Sequence, residues 1–229
     1  MTTTARARVR AELTEEIKAV ARRQVTEHGS AALSLRAVAR EVGMVSSAVY
    51  RYFPSRDDLL TALIVDAYDA VGAVAEDADR PRAHVTARWL AVTHAVRAWA
   101  RANPQEYALI YGSPVPGYRA PEATIDPATR VSAVLLGIVR DGVRSGAITD
   151  DDSVAIPRGL RRDLDSIRAL AADVPDEVLT RALFVWAEMF GAISLELFGH
   201  LHNVITDYDA LFDLQMRRAA GFLLAPGTP

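Results

Sequence analysis

Cysteine is absent from this 229-residue chain. Disulfides, thiolate metal sites and cysteine nucleophiles are therefore excluded. No stretch reaches the roughly 18 uninterrupted apolar residues that a membrane span needs. The basic start (Arg6, Arg8, Arg10) runs into Glu12, Glu15, Glu16 and Lys18, not into the apolar segment of a secretory signal. No membrane partner and a cytoplasmic address are expected. Strict apolar–polar alternation is also missing, so no strand is expected. No glycine-rich phosphate loop, internal repeat or low-complexity tract occurs. Five histidines are present (His28, His84, His94, His200, His202), and none completes a catalytic set. His200 and His202, with Asp207 and Asp209 nearby, suggest a metal at first sight. Residues at i and i+2 point to different sides of a helix, however. No metal, no cofactor and no enzymatic activity are expected.

What the chain has is helical periodicity almost throughout, in a sequence half apolar and long enough to bury a sizeable core. The expected class is all-α. Leu13, Ile17, Val20, Ala21 and Val25 form one stripe of a first helix over 14–28, stopped by Gly29. Ser34 caps a short second helix, with Leu35, Val38, Ala39 and Val42 at i, i+3, i+4, i+7 and Gly43 at its end. A short third helix begins near Val45 or Ser46 and cannot pass Phe53, because Pro54 disfavours helical geometry before it. Ser55-Arg56-Asp57-Asp58 reads as a capping box for a fourth helix, reaching about Ala75 with Leu60, Leu63, Ile64, Ala67 and Val71 inward. Further helices are expected over 83–102, briefly from Pro104, and over 128–145, 157–172, 176–200 and 207–224. Residues 112–127 hold four prolines and two glycines and form the longest loop. Asp150-Asp151-Asp152 reads as a solvated turn, and 226–229 as a frayed tail.

Charge is unevenly placed. Residues 1–60 carry a net +3 and the remainder −6, a distribution that fits a nucleic-acid-binding head on an acidic body. In the third helix Val45, Val49 and Phe53 can face the core. Ser46, Ser47, Tyr50 and Arg51 remain near the outer side, with no acidic member to repel phosphate.

The stretch from Ile17 to Leu60, ending LRAVAREVGMVSSAVYRYFPSRDDLL, resembles the N-terminal domain of TetR-family regulators. Ala39, Gly43, Tyr50, Phe53 and Leu59 stand where that family's pattern expects them. Two departures are visible. Val45 replaces the usual Ser or Thr cap of the recognition helix, leaving Ser46 to take over the cap, and Arg56 replaces a usual Lys. The resemblance implies a helix-turn-helix reading head over 1–56, a linker helix over 57–80, and an effector-binding and dimerisation domain over 81–229. It implies a double-stranded DNA operator, an unidentified small-molecule effector, a homodimer and, in the family's usual mode, repression. Position by position, Ser34 and the amides after it would hold a phosphate. Arg36 would reach the major groove or a phosphate. Ser46 and Ser47 would touch base edges, Ala48 a thymine methyl, Tyr50 a phosphate or base, and Tyr52 and Arg56 phosphates. The plainer alternatives are that Ser34 only caps, Tyr52 is partly core and Arg36 is solvated. Arg6, Arg8 and Arg10 form either a minor-groove arm or an idle tail.

In the C-terminal half, Leu179, Leu183, Trp186, Phe190, Ile193 and Leu197 form one apolar seam, and Val178, Val185, Met189, Ala192 and Phe198 a second. One helix with two apolar sides must bury both. The resemblance implies pairing through the last two helices, so Val185, Met189, Ala192, Leu211 and Phe222 are the expected dimer contacts; the alternative is that the second row is covered within the chain. Trp186 to Gly191 resembles a family branch with a Trp-x-x-x-Gly-like motif, in which His more often stands at Phe190. Trp89, His94, Trp99, Tyr107, Tyr111, Tyr118 and Met189 are the candidates for effector contact, with ordinary core aromatics the alternative for each and a satisfied buried histidine that for His94. The proline-rich loop is a candidate cover for the pocket mouth.

Overall fold

The computed structural model describes residues 5–81, 83–150, 154–168 and 170–224. Asp151, Asp152 and the 226–229 tail lie outside the described residues. Eleven α-helices appear among the described residues: α1 (Ala5–His28), α2 (Leu35–Val42), α3 (Ser46–Val49), α4 (Arg56–Ala78), α5 (Val85–Ala102), α6 (Pro104–Tyr111), α7 (Ile125–Arg144), α8 (Arg158–Asp163), α9 (Asp165–Arg168), α10 (Asp176–Leu197) and α11 (Tyr208–Leu224). No strand occurs among them, as the periodicity predicts. Three boundaries differ from expectation. The first helix starts at Ala5, so Arg6, Arg8 and Arg10 are helical and not a free arm. The helix expected over 157–172 is two short ones. The third is a single turn, closed by Tyr50.

The helices gather into two compact units. One holds the described residues of Met1–Asp69 and Asn103–Ala128, the other those of Ala70–Ala102 and Thr129–Pro229. The unit boundary falls inside α4 and again inside α7, so each of these helices contributes to both.

In the first unit, Ile17, Val20, Ala21 and Val25 of α1 pack with Leu35, Val38 and Ala39 of α2, Val49, Phe53, and Leu59, Leu60, Leu63 and Ile64 of α4. The two ends of α2 are set by sequence chemistry. The Ser34 hydroxyl accepts from the Ala37 amide at 3.4 Å, and Gly43 turns left-handed at φ 76°, a conformation that costs glycine nothing. Ser55 accepts from the Asp58 amide at 3.1 Å while its hydroxyl donates to the Asp58 carboxylate at 2.7 Å. This resembles the capping box read from the sequence, except that the Asp58 carboxylate takes the Ser55 hydroxyl and not its backbone N–H. The proline-rich loop is not a pocket cover. Val115 is buried in this unit's core, and the Tyr118 hydroxyl lies 2.9 Å from that of Thr61.

The second unit is built on α5, α10 and α11. Two buried arginines clamp it. The Arg97 fork donates to Glu196 at 2.7 and 2.9 Å and to Asp209 at 2.7 Å, with its guanidinium 4.9 Å above the Phe212 ring. Arg88 donates to both Asp79 oxygens at 2.7 and 2.9 Å and to Asp141 at 2.8 Å, joining the chain after α4 to α5 and α7. Hydrogen bonding by Asp79 lifts the Arg88 pKa further above its ordinary range. Helix α10 is long and apolar enough to cross a membrane by composition alone, but half of its apolar window is buried within the protein, as befits a core helix.

Breaking a buried pair from one side strands the other charge. Arg88→Ala is expected to lower unfolding stability by about 3 kcal/mol, read from the urea midpoint at unchanged slope. Arg88→Met is expected to cost less, because the apolar stem still packs. Equal losses would show that the stem's packing contributes nothing and that the lost charge accounts for the whole effect.

Candidate nucleic-acid interface and effector cavity

The reading surface is small and depends on one buried residue. Val49 is fully buried and fixes α3 against the first unit's core, and Phe53 does the same one turn on. This leaves Ser47, Tyr50 and Arg51 exposed, and Ser46, Ala48 and Tyr52 half-buried. Arg36 of α2 is exposed, and Ser34 is half-buried at its cap. No carboxylate stands between Gly43 and Phe53. The cap of α3 is Val45, with no side-chain hydrogen bond; Ser46 does not take that role. Val45, expected with Val49 and Phe53 to face the core, is instead 71 % exposed beside the reading surface, because it precedes the helical turn that turns Val49 inward. Arg56 is partly committed: its guanidinium donates to the Ser30 carbonyl at 2.9 Å and pairs with Asp57 at 3.2 Å. Arg10 lies 5.0 Å above the Tyr52 ring and donates to the Arg51 carbonyl at 3.3 Å, so the start of α1 braces the end of the reading element.

The second unit contains an apolar cavity of about 310 Å3. Trp89 of α5, Leu135, Leu136 and Val139 of α7, and Leu179, Ala182, Leu183, Val185 and Trp186 of α10 line it, with Ile167 and Leu170 at one side. Its polar groups are the hydroxyls of Thr129 and Ser132. The indole nitrogen of Trp89 donates to the Met216 carbonyl at 3.0 Å, so its single donor is already used. The α8–α9 segment that supplies Ile167 is held to the first turn of α10. Arg161 reaches Asp176 at 2.9 Å and Glu177 at 3.0 Å, and Arg168 reaches Asp176 at 2.6 Å. The Arg168 hydrogen bond holds the Asp176 carboxyl below its usual range.

Of the seven effector candidates, only Trp89 lines this cavity. Tyr107, Tyr111 and Tyr118 belong to the first unit. There Tyr107 and Tyr68 pack on Tyr111 with ring centroids 5.1 and 5.9 Å away, and burial raises the Tyr111 hydroxyl pKa above its ordinary value. His94 is not a buried histidine but a partly exposed one, 3.2 Å from Asp213. Trp99 and Met189 are buried away from the cavity. The lining residues of α7 were missed although Ser132, Leu135, Leu136 and Val139 recur at i, i+3, i+4, i+7. That pattern signals a buried face without saying what it faces.

The expected dimer row also needs correction. Val185, Met189 and Ala192 are 1, 0 and 7 % exposed within a single chain, so they form the protomer's own core. The exposed face of α10 is a third arc: Phe184, 61 % exposed, with Ala187 and Leu195, continued by Phe198 at the helix cap. Phe222 of α11 is exposed beside it, its ring 5.0 Å from Phe184. Leu211 is half-buried.

Comparison with known proteins agrees with this architecture. Residues 17–63 match the family described as bacterial regulatory proteins, tetR family, and residues 89–219 match the tetracyclin repressor-like C-terminal domain. An HTH-type transcriptional regulator of Mycobacterium tuberculosis is 44% identical over 216 residues, covering 91% of each chain, and one of Mycobacterium bovis matches equally. Among solved structures, a protein described as regulatory superposes with a TM-score of 0.77 at 34% identity, over 95% of this chain and all of that one. A TetR-family regulator from Thermus thermophilus shares the fold, with a TM-score of 0.57 at 17% identity over 93% of this chain and 99% of that one. The chain belongs to the TetR family. It is a DNA-binding transcriptional regulator and not an enzyme.

The corrected face can be checked without DNA. Met189→Arg places an unpaired charge in the core and is expected to cost about 3 kcal/mol or more of unfolding stability. Phe184→Arg is expected to change it by no more than about 0.5 kcal/mol. Denaturant unfolding at concentrations low enough to be concentration-independent measures both. A stable Met189→Arg protomer would restore the original row.

Proposed function

We propose that the protein is a homodimeric, ligand-responsive repressor of the cytoplasm that leaves a pseudo-palindromic operator when a small, mostly apolar molecule binds its second unit. The observation that carries this reading is the pairing, in one chain, of a reading element without carboxylates between Gly43 and Phe53 and a partly open apolar cavity. In this reading residues 1–56 engage DNA, 57–80 link, and 81–229 carry effector and partner. The segment 103–128, although it belongs to the C-terminal half of the chain, packs within the reading unit.

At the operator, Ser34 and the first amides of α2 take a phosphate, while Ser46 and Ser47 meet base edges. Ala48 and the exposed Val45 offer apolar contact to thymine methyls. Tyr50, Tyr52, Arg36 and the unspent donors of Arg56 anchor the backbone. A second copy covers Phe184, Leu195, Phe198 and Phe222, apolar surface that a soluble monomer rarely leaves contiguous. Effector binding favours a form with lower operator affinity, and a coupling of about 1–3 kcal/mol corresponds to roughly 5–150-fold release.

Selection of bound duplexes from a random pool is expected to return a dyad with half-sites about one helical turn apart, or a small multiple. Arg36→Ala should weaken binding to every sequence and shallow the salt dependence by about one unit of slope. Ser47→Ala should instead reorder preferences among sites. Phe184→Glu should yield a folded monomer by light scattering. Selected DNA with no dyad, or a Phe184→Glu dimer, would overturn the corresponding part of the reading.

A further inference from the structure

The cavity's lining restricts the chemistry of its occupant more tightly than size alone. A space of about 310 Å3 holds roughly ten atoms of water or methylene size. Not one of the lining side chains is ionisable. Arg140 apart, the cations next in sequence to the lining are committed elsewhere. Arg88 is spent on Asp79 and Asp141, and Arg181 donates to the carbonyls of Leu223 and Thr149. Arg140 follows Val139 on α7, but does not line the cavity, although its Nε is buried without a hydrogen-bond partner. Two tryptophans bound the space. Trp89 has its donor occupied, and the Trp186 ring lies 5.0 Å from Phe190, so their contribution is mostly apolar surface, with the Trp186 indole N–H as one further donor group. Among the described residues the lining hydroxyls are those of Thr129 and Ser132, both on α7 and three residues apart, hence on one side of the space.

We propose that this cavity takes an uncharged molecule of about ten heavy atoms, apolar over most of its length, with a single hydroxyl or carbonyl group that meets Ser132 and Thr129. A carboxylate or ammonium would lose its hydration and find no counter-charge, a cost that ligands of this size cannot recover from dispersion. An apolar molecule with one polar end loses little, because each hydroxyl on α7 can both donate and accept. The site is therefore built to reject carboxylates and ammonium ions that carry the same apolar body as the alcohols or ketones it accepts. This inference deepens the effector reading given above and rests on it for its regulatory meaning, but not for its chemistry.

The test titrates the full-length protein at pH 8 with four probes: 1-decanol, decanoate, decylammonium and 1-naphthol. Binding is read by calorimetry and by intrinsic fluorescence, since two of the three tryptophans line the space. Decanol and naphthol are expected to bind at least about 100-fold more tightly than either ion. Ser132→Ala, checked for an unchanged unfolding midpoint, is expected to reduce the preference for 1-naphthol over naphthalene by about fivefold, the worth of one neutral hydrogen bond. Decanoate binding as tightly as decanol, and losing that affinity in Arg140→Gln, would identify an anion site and overturn the proposal. So would the failure of all four probes to bind. If the neutral probes bind as expected but leave operator affinity unchanged, the chemistry stands and the effector reading fails, so the two failures are distinguishable.

Discussion

Most of the second unit follows from the need to cover α10. This helix carries apolar residues around nearly its whole circumference, and water is a poor neighbour for any of its sides. Its arc with Val178, Val185, Met189 and Ala192 is covered by its own chain. Leu179, Ala182 and Trp186 face the cavity. The arc with Phe184, Leu195 and Phe198 stays largely exposed in the protomer, with the Phe222 ring packed on Phe184 at 5.0 Å. One helix thus gives the unit its core, one wall of its cavity and its exposed apolar face. Leu183 sits where the last two meet: it lines the cavity and is still 37 % exposed.

Such an apolar helix cannot orient itself, since dispersion and burial are non-directional. The polar links supply direction. Lys18 is the only lysine among 26 basic residues, so nearly every cation carries the planar fork that suits two carboxylate oxygens at once. The chain uses this repeatedly: Arg88 on Asp79, Arg97 on Glu196, Arg130 on Glu76. Arg97 ties α5 to α10 and α11, and Arg88 ties it to α7, so α5 is the element whose register the charges specify. The exposed pairs, such as Arg144 with Asp173, contribute little by comparison.

The cavity is the counterpart of that rigidity. A space this large forgoes the dispersion contacts that filling it would bring. Its walls lie in the same unit as the tightest ion pairs, and the α8–α9 segment beside it is fastened by Arg161 and Arg168. Charge-assisted hydrogen bonds thus fasten the elements around an apolar space, the kind of preorganisation that the proposed effector site requires.

How much of this was legible in the chain depended on the range of the interactions. Ser34 before Leu35, Gly43 after Val42, the Ser55–Asp58 box and the 3.6-residue stripes act within one or two helical turns, and they determined the all-α class, the helix-turn-helix and its exposed residues. Local signals could not decide the faces of α10. Periodicity shows that a residue is buried, not what buries it, so Met189 was assigned to a partner and Phe184 to nothing. The proline-rich loop was recognised as a loop, but its packing of Val115 into the reading unit joins residues far apart in sequence. The cavity likewise exists only where α5, α7 and α10 converge. Those outcomes belong to the tertiary structure, because they depend on which apolar surfaces meet.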